Sequence, residues 1–334
     1  MSTSSGKSIG KLPPEQLDRL LRGFHSAADG SVLIGPAVGL DAAAVRVGEE
    51  ILIAASDPIT FATNRTGQYA VDVNANDVAV MGGVPRWMLA TLLLPPGESR
   101  KAAPIFRQLR TACRRRGISL IGGHTEMTPA VRVPVVSGTI LGLADPAYLG
   151  RRKRARAGDL VVQLRPLAIE GAALIAREKA GELTGNLPPR LLSRARRLLD
   201  DPGISVVDLA ADAVAAGAKA MHDPTEGGLL MGAWELAESL HLGIDLDADA
   251  ALILPEAVAL CEHFGLDVLR TLASGCLLAV CSQRSADRLL AVAAERAWPA
   301  AIIGSLVPAG STVRRNGRRR RLRPNAVDEV TKLF

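Results

Sequence analysis

The sequence predicts an α/β (α+β) protein of two domains, and three observations carry that prediction. Short apolar runs bounded by Gly, Pro and Asp alternate with longer segments of helical spacing throughout the 334 residues. That length exceeds what a single core ordinarily supports, and 48% hydrophobic against 22% charged residues excludes a disordered chain. Only 3% of residues are aromatic, so Ala, Val, Leu and Ile must build the interior. We expect an N-terminal extension with a short helix over residues 1–30, a mixed-sheet domain over 31–150 and an α/β domain over 151–334.

The elements follow in order. Residues 1–8 read as a polar start, and residues 13–24, with Pro near their beginning and leucines at helical spacing, as an amphipathic helix. The run VLIGPAVGLDAAAVRVGEEILIAASD places a Gly-rich loop around Gly35 and Gly39, then Asp41, then a hairpin of strands 43–47 and 51–55. Asp57 stands where the second strand is expected to break into a loop before Pro58. Residues 67–81 read as a helix closed by Gly82-Gly83, which sets Asn74 and Asp77 three residues apart on one face. A strand over 86–94 ends at Pro95-Pro96-Gly97, and a basic amphipathic helix covers 102–116. ISLIGGHTEM reads as a strand running into a loop, Gly122-Gly123-His124-Thr125-Glu126; a strand over 133–143 and a charged connector over 145–158 complete this half.

In the second half, residues 158–162 turn into a strand and 169–178 form an Ala-rich helix. Residues 181–201 are polar and Arg-rich, and the stretch to Ala220 is helical in composition. In MHDPTEGG, His222 to Thr225 form a turn and Gly227-Gly228 allow close backbone approach. A helix over 229–238 then points its positive end at that turn. Strands over 275–282 and 301–306 flank a helix over 286–297.

The formal net charge of +6 is concentrated in two clusters, one from Arg151 to Arg156 and one from Arg314 to Arg323. Neither has interleaved aromatics or the spacing of a DNA-reading motif, so solvated surface is expected and nucleic acid is not. Cys113, Cys261, Cys276 and Cys281 form no CxxC pair and no metal-ligand spacing with His, so they read as reduced core thiols. No signal core begins the sequence, and the longest apolar run, 87–94, is too short for a bilayer. A cytoplasmic protein without membrane contact is the expectation.

Four aspartates, Asp41, Asp57, Asp77 and Asp223, lie at apolar boundaries or among small residues. Singly, each reads equally well as a turn, loop or surface residue. Gathered in one cleft they would repel one another and require a cation, and Mg²⁺ bridging to phosphate oxygens suits such a set. His124 and His222 lie in glycine-bearing loops and Glu126 two residues beyond the first, so these three are the candidates for proton transfer. The Walker, G-x-G-x-x-G and G-x-S-x-G patterns are absent.

Taken together, NANDVAVMGG, GGHTE and HDPTEGG, in that order, resemble the PurM-like (AIR synthase-related) ATP-binding superfamily, and HDPTEGG is most similar to its HypE hydrogenase-maturation branch. The resemblance implies an N-terminal domain that dimerises through its sheet, a second α/β domain, and ATP in the cleft between them. It implies that Asp41, Asp57, Asp77 and Asp223 hold Mg²⁺ and phosphates. Gly122, Gly123, His124 and Thr125 would form a phosphate loop beside Asn74, with Gly39, Gly227 and Gly228 also at the nucleotide. The implied chemistry is phosphoryl transfer to, or ATP-driven activation of, a small molecule; the alternative is a HypE-like maturation factor acting through protein partners. Four departures shape the expectation further. No cysteine follows Cys281, so a carbamoyl group carried on a terminal cysteine is not expected. The first cysteine is Cys113, unlike selenophosphate synthetases, and Pro224-Thr225-Glu226-Gly227 replaces the SDGL-like motif of thiamine-monophosphate kinases. Leu40-Asp41 stands where the family has paired aspartates.

Overall fold

Two antiparallel-rich sheets, each with helices against it, make up the computed structural model, which describes residues 10–24, 29–60, 64–325 and 327–334. The expected polar start over 1–8 lies outside the described residues. The first sheet contains Val32–Ile34 (β1), Ala43–Val47 (β2), Glu50–Ile59 (β3), Gly83–Leu94 (β4), Ser119–Met127 (β5) and Val135–Ala144 (β6), in the order β1-β2-β3-β6-β4-β5. It is mixed, because β4 and β5 run parallel while the other neighbours are antiparallel.

The second sheet contains Leu160–Leu164 (β7), Ala220–His222 (β8), Gly243–Asp247 (β9), Leu277–Cys281 (β10), Ala300–Val307 (β11), Thr312–Arg315 (β12) and Arg318–Arg321 (β13). Its order is β13-β12-β9-β11-β7-β10-β8. The helices are Pro14–Leu21 (α1), Thr66–Val80 (α2), Ala102–Arg116 (α3), Pro146–Arg152 (α4), Ile169–Glu178 (α5), Ala180–Leu183 (α6), Pro189–Arg197 (α7), Val207–Ala216 (α8), Gly228–Glu238 (α9), Pro255–Phe264 (α10) and Gln283–Glu295 (α11). The predicted α/β class and mixed first sheet are therefore both present. Among the described residues no helix is long and apolar enough to cross a membrane.

The central element is α2. It packs on β3, β4 and β6 of the first sheet and also on α8 and β8 of the second half, so nearly every side chain along it is buried. An ordinary amphipathic helix has one wet face; this one has none, and its Asp72, Asn74 and Asn76 make specific bonds. Asn76 donates from Nδ2 to the Ile204 carbonyl at 2.9 Å and accepts from the Val206 amide at 2.8 Å, tying the halves together. Asp72 holds Arg116 of α3 at 3.1 Å. The four cysteines are buried and unpaired, as expected of core thiols.

Several expectations need correction. Asp57 lies inside β3, which continues through Pro58 to Ile59 in register with β6, although β2 pairs with β3 only as far as Ala54. Residues 122–126 are strand, not loop: β5 runs through them beside β4, with a register shift at Met88/Leu89. The connector over 145–158 contains α4, capped by Asp145, which accepts from the Ala147 amide at 2.8 Å. Its cluster of basic residues is not all solvated, because Arg152 is buried. The second cluster forms the β12–β13 hairpin, where Arg314 and Arg319 bind Asp247 and Asp245. β9 and α10 were not anticipated.

Candidate active site

A cleft of about 370 Å³ between the two halves is lined by Asp41, Asp57, Asp77, Thr225, Glu235 and Lys11, among others. Asp41 enters just before β2, from a turn in which Gly39 has φ +79°. A Cβ on Gly39 would stand 2.5 Å from the Glu235 carbonyl oxygen, so only glycine lets this turn touch α9. Asp57 is aimed by Asn74: the Asp57 amide donates to Asn74 Oδ1 at 2.7 Å, and Asn74 Nδ2 donates to the Asp57 carbonyl at 3.2 Å. Asn74 thus replaces a neighbouring strand for one residue. Asp77 is buried one turn further along α2, and Asp223 is buried just beyond β8.

These carboxylates are under strain from one another. Both oxygens of Asp223 are buried, and among the described residues neither has a hydrogen-bond partner at ordinary geometry; Asn76 Nδ2 and the His222 charge lie near enough to favour the ionised form, but Nδ2 donates to Ile204. Burial, then the charge of Asp41, pushes Asp223 up to about 8. Burial, then Asp57, Asp223 and Asp41, raises Asp77 well above the carboxylate range. Solvent reaches Asp57, yet the protein crowding it and the nearby Glu226 push it up to about 6.

Cations already present answer part of this charge. His222 bridges two acids, with Nδ1 2.8 Å from Asp41 Oδ2 and Nε2 3.2 Å from Glu235 Oε2. Burial opposes its charge, but Asp41 and Glu235 prevail and raise it to about 10. Lys11 Nζ lies 3.6 Å from both Glu226 and Glu235. Burial opposes that charge too, and Glu235, Glu226, Asp41 and Asp57 outweigh it.

The structure therefore gathers Gly39, Asp41, Asp57 and Asp77 around one cleft, with Asn74 buried behind Asp57 and Asp223 buried close enough to Asp41 and Asp77 for their charges to interact. It does not gather the rest. His124 and Glu126 face each other at 3.1 Å on exposed β5. The register Asp57, Gly138, Ala90, Gly123 crosses the sheet, so Gly123 is three strands, about 14 Å, from Asp57. Gly122, Gly123, His124 and Thr125 are thus edge-strand residues outside this cleft. Gly227 and Gly228, with φ +79° and +61°, begin α9, but the Gly227 amide donates to Asp328 Oδ2 at 2.7 Å. A carboxylate of the chain already occupies that helix start. His222 is enclosed with both nitrogens engaged, a poor proton shuttle and a good charge clamp.

Among the described residues no three His, Cys, Asp or Glu side chains stand close enough to hold one ion. The expected metal set faces a common space without converging, since uncompensated carboxylates repel and Asp41 is turned to His222. The donors nonetheless fit Mg²⁺, which takes one or two carboxylates and completes its shell with water and phosphate oxygens. Lys11, Glu226 and Glu235 were missed. Glu235 had a signal, an acid within the otherwise apolar run GLLMGAWELA; Lys11 had none.

The N-terminal domain of AIR synthase related proteins matches residues 39–144, and the C-terminal domain of the same family matches residues 156–315. The carbamoyl dehydratase HypE of Rhizobium leguminosarum bv. viciae is 28% identical over 307 residues, 87% of this chain and 83% of its own. That of Escherichia coli K12 is 29% identical over 264 residues, 75% of this chain and 73% of its own. Among solved structures, the hydrogenase maturation protein HypE in complex with ATP superposes with a TM-score of 0.70 at 22% identity, covering 95% of this chain and 96% of that one. AaThiL complexed with AMPPCP and TMP gives 0.71 at 20% identity, covering 95% and 99%. The HypE–HypF complex gives 0.67 at 18% identity, covering 84% and 93%. At these identities the structural likeness is one of fold.

Proposed function

The chain belongs to the family of AIR synthase related proteins, both of whose domains match it, and from that premise we propose that its aspartate cleft binds ATP with Mg²⁺ and uses the nucleotide to phosphorylate or activate an acceptor. One observation carries this reading: the Asp223 carboxylate, buried with both oxygens unpartnered, faces Asp41 and Asp77. A fold retains so costly a group where a ligand compensates it. Asp41, Asp57, Asp77 and Asp223 would hold the ion. Bound Mg²⁺ would neutralise charge on phosphate oxygens. Asn74 fixes the direction of Asp57, the charged His222 fixes that of Asp41, and Lys11 sets an ammonium at the cleft where phosphate charge would lie.

The relatives named carbamoyl dehydratase favour activation of a carbonyl or amide oxygen, while the likeness to AaThiL favours direct transfer to a small molecule. A second reading, a maturation factor working on a protein partner, is favoured by the HypE–HypF neighbour. Titration calorimetry tests the common premise. ATP should bind saturably only with Mg²⁺, and Asp223→Asn should weaken it by about tenfold or more, the loss of one charge-assisted interaction. Absence of ATP binding by the folded protein would overturn the premise. ADP release stimulated by a purified small acceptor would then favour the first reading, and ADP release only with a maturation protein the second.

We place the expected homodimer on β5. All nine of its residues are exposed, with Ile121 at 54% and Met127 at 57%, on an edge strand that has no outer neighbour among the described residues. In such a dimer His124 and Glu126 would face the second copy. Light scattering should report a dimer, and Ile121→Glu a monomer; a wild-type monomer at micromolar concentration would exclude this placement. Four buried, unpaired thiols suit the reducing cytoplasm.

A further inference from the structure

A second cavity, of about 520 Å³, opens where β1, β2 and β3 meet α4 and the end of α9. Four basic side chains line it, Arg46, Arg152, Lys153 and His241, and no carboxylate does among the described residues. The rest of its wall includes Ile34, Ile51, Leu149 and Leu240. Arg152 is the telling member. It is 9% exposed and forms no ion pair among the described residues. Its Nη2 donates to Ser239 Oγ at 2.8 Å and to the Ser239 carbonyl at 3.3 Å, while Nε and Nη1 are not committed to any described hydrogen bond. Burial lowers its pKa, against the pull of Tyr148 and Asp41. A buried guanidinium with no carboxylate at ion-pair distance among the described residues is costly, and its free edge matches a carboxylate or phosphate in bidentate fashion.

We propose that this cavity binds a small amphipathic anion, a carboxylate or phosphate monoester carrying an apolar body, with Arg152 gripping the head group and Arg46 and Lys153 flanking it. The volume falls within the range of small-molecule sites, roughly 300–1,000 Å³. The apolar wall explains why the ligand needs a body as well as a charge. Arg152 also caps the end of α9 through Ser239, a structural duty that accounts for its position. That duty does not account for Arg46 and Lys153, which are exposed, have no carboxylate partner among the described residues and border the same space. A bound anion would join β2 of the first sheet to α4 and to the end of α9, close enough to Asp41 for Arg152 to feel its charge.

Calorimetry on the full chain tests this with 4-phenylbutyrate, phenyl phosphate, inorganic phosphate and 4-phenyl-1-butanol. At least one amphipathic anion should bind about tenfold tighter than both the alcohol and inorganic phosphate, as expected when charge and apolar surface act together. The tighter of the two anions then identifies the head group. Because Arg152 also secures α9, the decisive variant is Arg46→Gln with Lys153→Gln, which should weaken the anion by a further factor of about ten. The proposal fails if the alcohol binds as tightly as the anions, or if the double variant binds unchanged. It fails too if ATP with Mg²⁺ displaces the probe competitively, which would put the probe in the aspartate cleft.

Discussion

At the scale of single residues, the cleft is organised around charges that are left incomplete. Asp223 illustrates the cost, since both oxygens are buried without a hydrogen-bond partner among the described residues and burial pushes the group up to about 8. Asp223→Asn keeps the shape and removes the charge. We predict that without metal, at about pH 9 where the aspartate is ionised, this variant is more stable by about 1–3 kcal/mol because it removes an uncompensated buried charge, although it binds Mg-ATP more weakly. Urea unfolding in chelator measures the first effect; equal or lower stability would show that Asp223 is already satisfied in the free protein. His222 is the opposite case, a histidine whose two nitrogens are both spoken for by Asp41 and Glu235. Its position in a glycine-bearing motif suggested chemistry, and only the spatial neighbours reveal a clamp. Those neighbours come from positions 181 and 13 residues away, beyond any local pattern.

At the scale of elements, α2 and the strands beneath it make the site rigid. Gly138 of β6 is required for this, because a Cβ there would lie 2.6 Å from Asn74 Nδ2. Gly138→Ala should push Asn74 away from Asp57 and cost about 1–3 kcal/mol as overpacking, with ATP affinity falling alongside. Thermal unfolding and calorimetry of the same variant check both; normal nucleotide affinity would separate Asn74 from the site. The helix over 67–81 was legible because it is long, uninterrupted and closed by glycines. The second half of β5 was not, since Gly122-Gly123 resembles a loop and the pairing that continues the strand is made with β4, over 30 residues earlier in the chain. The arginine hairpin was equally opaque: runs of one charge suggest solvation, and the aspartates that pair with Arg314 and Arg319 reside on β9.

At the scale of the molecule, several raised groups make stability depend on pH in one direction. Burial pushes Glu170 up to about 7 and Asp223 up to about 8. Acids raised on folding bind protons more tightly in the native state, so stability falls as pH climbs to those values. His222, raised to about 10, adds stability fully present below its ordinary value and lost as pH rises through 10. All three slopes share a sign, so in chelator the unfolding temperature should fall by several degrees from about pH 6 to pH 10. Mg-ATP should flatten the fall by binding the ionised carboxylates; a flat or rising profile without metal would contradict the burial of these groups. The sequence by itself determined the α/β class, most of the elements, the family resemblance and the aspartates, because periodicity and motif are local properties of the chain. Only the tertiary structure decided that Asn74 serves Asp57, that Asp328 fills the start of α9, that β5 stands apart, and that Arg152 is buried without an ion pair among the described residues. Each of these depends on which distant segments meet, and burial and pairing are properties of that meeting alone.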